Sequence, residues 1–137
     1  MIKQRLVTDA VLARLRATGF KVGDGVAPVD AGQQYGVLEP LSFEYDGSPT
    51  HPEKTCQITY RVRAVGIDPT LATGRDGPRM DAEALADVFR ATMANRAVKL
   101  EGTGWRVIRR TLYPGGTDRE GPTVNVTDDW ELVAVER

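Results

Sequence analysis

The longest regular pattern in the chain runs from Thr55 to Gly66, TCQITYRVRAVG, where apolar and polar positions alternate almost without a break. Cys56, Ile58, Tyr60, Val62 and Ala64 fall on one side of an extended segment, and Thr55, Gln57, Thr59, Arg61 and Arg63 on the other, because side chains of a strand alternate with period 2. One face suits a core, the other water or a polar partner. The chain opens on a helical period instead. Ile2, Leu6, Ala10, Ala13 and Ala17 form one stripe that Val7, Val11 and Leu15 widen, which predicts a helix from Lys3 to Ala17 that stops near Gly19. Lys21 to Gln34, rich in Gly, Ala and Asp, is expected to be an extended connection.

Further strands are predicted at Tyr35 to Leu41, Trp105 to Tyr113 and Thr123 to Val135. In the first of these Tyr35, Val37 and Leu38 are the inward candidates and Pro40 marks the far end, since proline cannot donate to a ladder. In the last, Asp128-Asp129 suggests a bulge or irregularity. A second helix is expected from Asp81, as N-cap, to Asn95, with Met80 and Leu85 as a hydrophobic staple. Leu85, Val88, Phe89 and Thr92 would be its buried side, and Glu83, Asp87 and Arg90 its wet side. Three stretches read as long loops: Ser42 to Lys54 around Asp46-Gly47-Ser48-Pro49, Ile67 to Arg79, and Pro114 to Pro122. Helix, hairpin, helix, hairpin is the order of an α+β domain, a mostly antiparallel sheet of about four strands with two helices on one face and long projecting loops. The 137 residues fit one such domain, spanning 1–137.

Charge changes this picture modestly. The net formal charge is −1, which argues against a dedicated nucleic-acid binder. Its distribution is uneven: residues 1–22 carry Lys3, Arg5, Arg14, Arg16 and Lys21 against Asp9, whereas residues 23–60 carry six carboxylates against Lys54. Patches of opposite sign suit head-to-tail association between copies. Arg61 and Arg63 share one strand face, and Arg106 and Arg110 are expected to share another. Without interleaved aromatic rings these arginines fit pairing to carboxylates better than stacking on a nucleic acid.

Candidate chemistry is sparse. Cys56 cannot form an internal bridge, and its place on the apolar face makes it a buried hydrophobe in a reducing compartment. The single histidine, His51, and the serines Ser42 and Ser48 all lie in one turn-rich loop, which lacks the preorganisation a nucleophilic triad needs. One His and one Cys cannot make a structural zinc site, and Asp128-Asp129 lacks the ligand spacing of a calcium loop. Gly23-Asp24-Gly25 and Gly102-Thr103-Gly104 lack the rest of a nucleotide fingerprint and are expected to be turns. No catalytic, cofactor-binding or metal-binding residue is therefore named. The longest apolar runs are four residues, as at Leu132 to Val135, so neither a membrane span nor a signal-type segment is expected.

The opening helix VTDAVLARLRATG, the YGVLEP strand, the TCQITYRVRAVG strand with its terminal Val65-Gly66, and the helix DAEALADVFRATM resemble, in order and spacing, the tail terminator proteins of long-tailed bacteriophages. The closing strand DDWELVAVE is in keeping with that family. The resemblance implies a virion structural protein at the tail–neck junction, assembled in the host bacterial cytoplasm. It implies a hexameric homo-oligomeric ring on the last ring of the tail tube protein, ending polymerisation and offering a surface to head-completion or neck proteins. DNA in the channel would be touched weakly and non-specifically. Interface candidates fall on the projecting loops: Arg75, Asp76 and Arg79 in the first, and Asp118, Arg119 and Glu120 in the second. Other readings compatible with the sequence are a head–tail joining protein of the same virion class, a non-viral cytoplasmic binding module, and an enzyme whose site is made across subunits.

Overall fold

The computed structural model describes residues 2–45, 55–67, 77–95, 98–100 and 102–136. Helix α1 (Gln4–Arg16) is followed by strands β1 (Val22–Asp24), β2 (Gln34–Tyr45) and β3 (Thr55–Ile67), helix α2 (Gly77–Asn95), and strands β4 (Trp105–Glu120) and β5 (Thr123–Glu136). The strands form one sheet in the order β1-β2-β3-β5-β4. Every pairing is antiparallel except β1 with β2. The α+β class and the mostly antiparallel sheet expected from the sequence are those observed.

Strand β3 occupies the centre and alternates as its sequence demands. Cys56, Ile58, Tyr60, Val62 and Ala64 are all buried, while Thr55, Gln57, Thr59, Arg61 and Arg63 are half-exposed on the opposite face. Its partner β5 matches it residue for residue from Thr55–Val135 to Ile67–Thr123, with Val124, Val126, Trp130, Leu132 and Ala134 turned to the same covered face. Both helices lie on that face. The Thr8 and Tyr60 hydroxyls hydrogen-bond at 2.9 Å, joining α1 to the centre of the sheet, and the Tyr45 hydroxyl donates to the Ile2 carbonyl at 2.7 Å.

Several boundaries differ from expectation, each for a physical reason. The buried side of α1 is Val7, Thr8, Val11, Leu12 and Leu15, whereas Leu6 is 48% exposed and Ala13 and Ala17 face solvent. The helix turns its branched side inward, because leucine and valine remove more apolar surface from water than alanine. Lys21 to Gln34 is not wholly a connection. Gly25 N–H donates to Leu38 O, and Gly36 N–H to Lys21 O, each at 2.8 Å, which makes Val22–Asp24 a parallel edge strand. Gly23 is therefore strand and Gly25, at φ 77°, the turn that follows it.

Pro40 does not end β2: the strand absorbs it with a bulge between Pro40 and Ser42 and continues to Tyr45. Leu38 pairs with Val62 on the covered face, so Tyr35 and Val37, of opposite parity, lie on the other. Helix α2 starts at Gly77, four residues before the predicted Asp81 cap, with Pro78 in its first turn, where a missing N–H costs nothing. Met80 is 65% exposed and so does not staple the helix. Gly66 explains where the helix begins: a Cβ there would lie 2.1 Å from the Pro78 carbonyl oxygen, so the end of β3 and the start of α2 approach at a separation that only glycine permits. Tyr113 to Glu120 is strand as well. A bulge between Pro114 and Gly116, with Gly116 at φ 90°, lets β4 continue to Glu120 before the turn at Gly121 and Pro122.

Candidate functional site

The two helices leave one face of the sheet and its rims uncovered among the described residues. That face carries a ladder of ion pairs crossing four strands. Arg63 Nη2 lies 3.2 Å from Glu39 Oε1, joining β3 to β2. Arg61 donates to Asp129 through Nε at 3.0 Å and Nη2 at 3.3 Å, joining β3 to β5, and this hydrogen bonding holds its guanidinium above the ordinary arginine pKa. Arg109 Nη2 reaches Glu131 at 3.9 Å, joining β4 to β5. The expected pairing of Arg61 and Arg63 with carboxylates is thus realised within the chain.

The covered face holds one buried charge pair that sequence patterning placed wrongly. Arg90 donates to Asp128 through Nε at 2.7 Å and Nη2 at 2.8 Å, a bidentate contact. Asp128 is 3% exposed. Arg90 was expected on the wet side of α2, and Asp128-Asp129 was expected to mark an irregularity in its own strand. Instead β5 runs straight against β3, and the irregularity sits in β4 opposite Thr127 and Asp128. The adjacent aspartates point apart, Asp128 to Arg90 and Asp129 to Arg61. Two sequence signals mark this pair. Asp128 occupies an inward position in the Val124-to-Ala134 alternation, and Arg90 continues the four-residue row Ala82, Ala86, whose members are buried.

Both rims carry a bulge, on different sequences. β4 is one rim, and its outer edge has no strand beside it among the described residues. Beyond Leu112 its residues Tyr113 to Glu120 are all exposed. At the other rim β1 covers β2 only at Gly36 to Leu38, which leaves Glu39 to Tyr45 open among the described residues. Each rim has a bulge that presents a large apolar side chain, Leu41 at 45% exposure on β2 and Ile108 at 55% on β4. The bulge at Ile108 has a second effect: Arg106 lies opposite Val135 on the open face and Arg110 opposite Leu132 on the covered one, so these two arginines do not share a face as expected.

Beside β4, between it and α2, lies a cavity of about 500 Å³ lined by Arg90, Ala94, Ile108, Arg110, Leu112 and Trp130. Trp130 is 3% exposed, and its indole N–H has no acceptor among the described residues. A second groove of similar volume runs between α1 and Lys99, Leu100 and Thr103, along Leu6, Ala10, Ala13 and Ala17.

The proposed interface residues are divided. Arg75 and Asp76 lie outside the described residues, as do His51 and Ser48. Arg79 is on the first turn of α2, its Nε 3.8 Å from Glu83, and not on a loop. Asp118, Arg119 and Glu120 are exposed at the end of β4, opposite Asn125, Val124 and Thr123, and are strand residues too. Nor are the two charge blocks of the N-terminal half separate in space. Arg5 bridges Asp9 at 2.5 Å and Asp24 at 2.7 Å, joining the basic segment to the acidic one within one copy.

Burial pushes the Cys56 thiol up to about 11 and the Tyr60 hydroxyl up to about 12, so both stay protonated near neutrality. Among the described residues no group of three or more His, Cys, Asp or Glu is placed to hold a metal ion. No helix among them is long and apolar enough to cross a membrane.

A bacteriophage protein shares this fold. The structure of the bacteriophage SPP1 gp17 protein superposes over 93% of this chain and 88% of its own, with a TM-score of 0.52 and 14% sequence identity. The overlap takes in nearly all of both chains and is not confined to one hairpin; at that identity it concerns the fold alone. No protein-family model and no curated protein matches the chain.

Proposed function

We propose that this chain is a structural protein of a bacteriophage virion that closes into a hexameric ring at the end of the tail tube. The ring stops tube polymerisation, presents a surface to head-completion or neck proteins at the tail–neck junction, and transforms no substrate. The observation that carries this reading is the overlap, over 93% of the chain, with the fold of a bacteriophage protein. The resemblance of the α1, β2, β3 and α2 sequences to tail terminators adds to it, and its Val65-Gly66 signature has a physical role in seating α2 on β3.

A closed ring of identical copies needs two different surfaces that meet head to tail, with a rotation that closes. The dissimilar rims of the sheet provide such surfaces. DNA passing through the ring would feel weak attraction at most, because Arg61 and Arg63 are already paired to Asp129 and Glu39. The test is to delete the gene and image the particles by electron microscopy. Tails of uncontrolled length, unattached to filled heads, are expected. Tails of normal length that lack only heads would replace the terminating role with a joining one, and intact infectious particles would exclude both.

A further inference from the structure

The two open rims of the sheet differ in charge, and on the same face. On the β2 rim, Glu39 and Glu44 lie opposite Arg61 and Gln57, which places both on the uncovered face, and Pro40 to Tyr45 contains no basic residue. On the β4 rim, Arg106 and Arg109 lie opposite Val135 and Val133, on that same face, and Trp105 to Leu112 contains no acidic residue. Directions match as well. Counting antiparallel steps from β2 through β3 and β5 to β4, the two rim strands run in opposite senses. If the β4 rim of one copy meets the β2 rim of the next with the uncovered faces on one side, the new pair is antiparallel and every side chain keeps its face.

We infer that copies of this chain join by strand addition, the Trp105–Leu112 edge of β4 on one copy pairing with the Leu41–Tyr45 edge of β2 on the next. This rests on the ring-forming reading proposed above and adds which surfaces meet. Backbone hydrogen bonds supply the contact, and Arg106 facing Glu44 and Arg109 facing Glu39 supply the partner choice, since cross-strand and diagonal neighbours of opposite charge attract and like charges repel. The bulge residues Ile108 and Leu41 cover one another, removing the most exposed large apolar side chain of each rim from water.

Pro40 limits the pairing. Gly36 N–H and Leu38 C=O face outward to β1, so Pro40, at the same parity, turns outward with a carbonyl but no donor, which confines the added ladder to the residues after it. That arrangement protects the edge from unspecific extension while leaving one short stretch to pair. The cavity beside β4, with its apolar Leu112 and Ile108 and the Trp130 indole N–H that has no acceptor among the described residues, lies where a side chain or carbonyl from the incoming strand would enter.

The experiment is oxidative cross-linking of purified full chain carrying Leu41→Cys and Ile108→Cys together, with each single variant as control; both positions are exposed, and Cys56 is fully buried. A ladder of covalent oligomers at least fivefold more abundant than in either control is expected, and no excess over the controls overturns the pairing. In the same background Arg106→Glu and Glu44→Arg should each lower the ladder at least fivefold, and together restore it to within twofold. A combined variant no better than the worse single one contradicts the proposed charge match. A ladder in protein whose gene deletion leaves tails of normal length would keep the pairing and remove the terminating role. No ladder alongside overlong tails would do the reverse.

Discussion

The centre of the sheet and its rims obey different rules. β3 and β5 pair over their whole length with no register shift, bury every second side chain under the helices, and carry the charge ladder on the other face. β2 and β4 both bulge, expose Leu41 and Ile108, and have open edges among the described residues. The centre is over-determined by packing, so its sequence is constrained to hold one register. Leu38 of β2 and Trp105 of β4 belong to the core, but the outer edges of the two rim strands do not close it. Their residues are free to answer to another molecule, and their irregularities re-aim side chains outward.

The comparison breaks most visibly under core truncation. Leu132→Ala, fully buried on β5, should cost about 3–4 kcal/mol in denaturant unfolding, whereas Ile108→Ala on the β4 rim should stay within about 0.5 kcal/mol. Equal costs would mean that the rim belongs to the core. Next comes the buried ion pair. Asp128→Ala leaves the Arg90 guanidinium partly buried without its carboxylate and should cost about 2–3 kcal/mol, and adding Arg90→Met should recover part of that loss.

Alkaline pH gives a third, smaller effect that belongs to the centre alone. The Cys56 thiol ionises near 9 in an unfolded chain but near 11 in the fold, and the Tyr60 hydroxyl near 10 and near 12. Between those values the folded chain keeps protons that the unfolded chain has released, so stability falls progressively as pH rises. Thermal unfolding of Cys56→Ala should begin its alkaline decline near pH 10 instead of near pH 9. An unchanged onset would remove Cys56 as its cause. The smallest effect is expected on the open face, where Arg61→Ala should cost less than about 1 kcal/mol and still less in high salt, because the pair with Asp129 is partly solvated.

What could be read from the sequence follows the same division. The inward set of β3 was legible to the residue, because a half-buried strand between a helix-covered and an open face must alternate. The rim strands were cut short, β2 at Leu41 and β4 at Tyr113, because proline and glycine read as loop when the bulges that absorb them depend on a partner strand. That error carried Asp118, Arg119 and Glu120 from strand to loop, and the late start given to α2 did the same for Arg79. β1 was missed because three residues held by a parallel neighbour leave no periodicity to find. The Arg90–Asp128 pair was hidden for a different reason: charged residues are assigned to wet faces by default, and only the two elements together show that these two neutralise each other inside.

Assembly remains the central claim, and a high-resolution electron-microscopy map of the virion neck tests it most directly. The account predicts this chain as a closed hexameric ring seated on the last ring of the tail tube, with the β4 rim of each copy against the β2 rim of the next. Density for the chain anywhere else in the particle, or its absence from the particle, would contradict it.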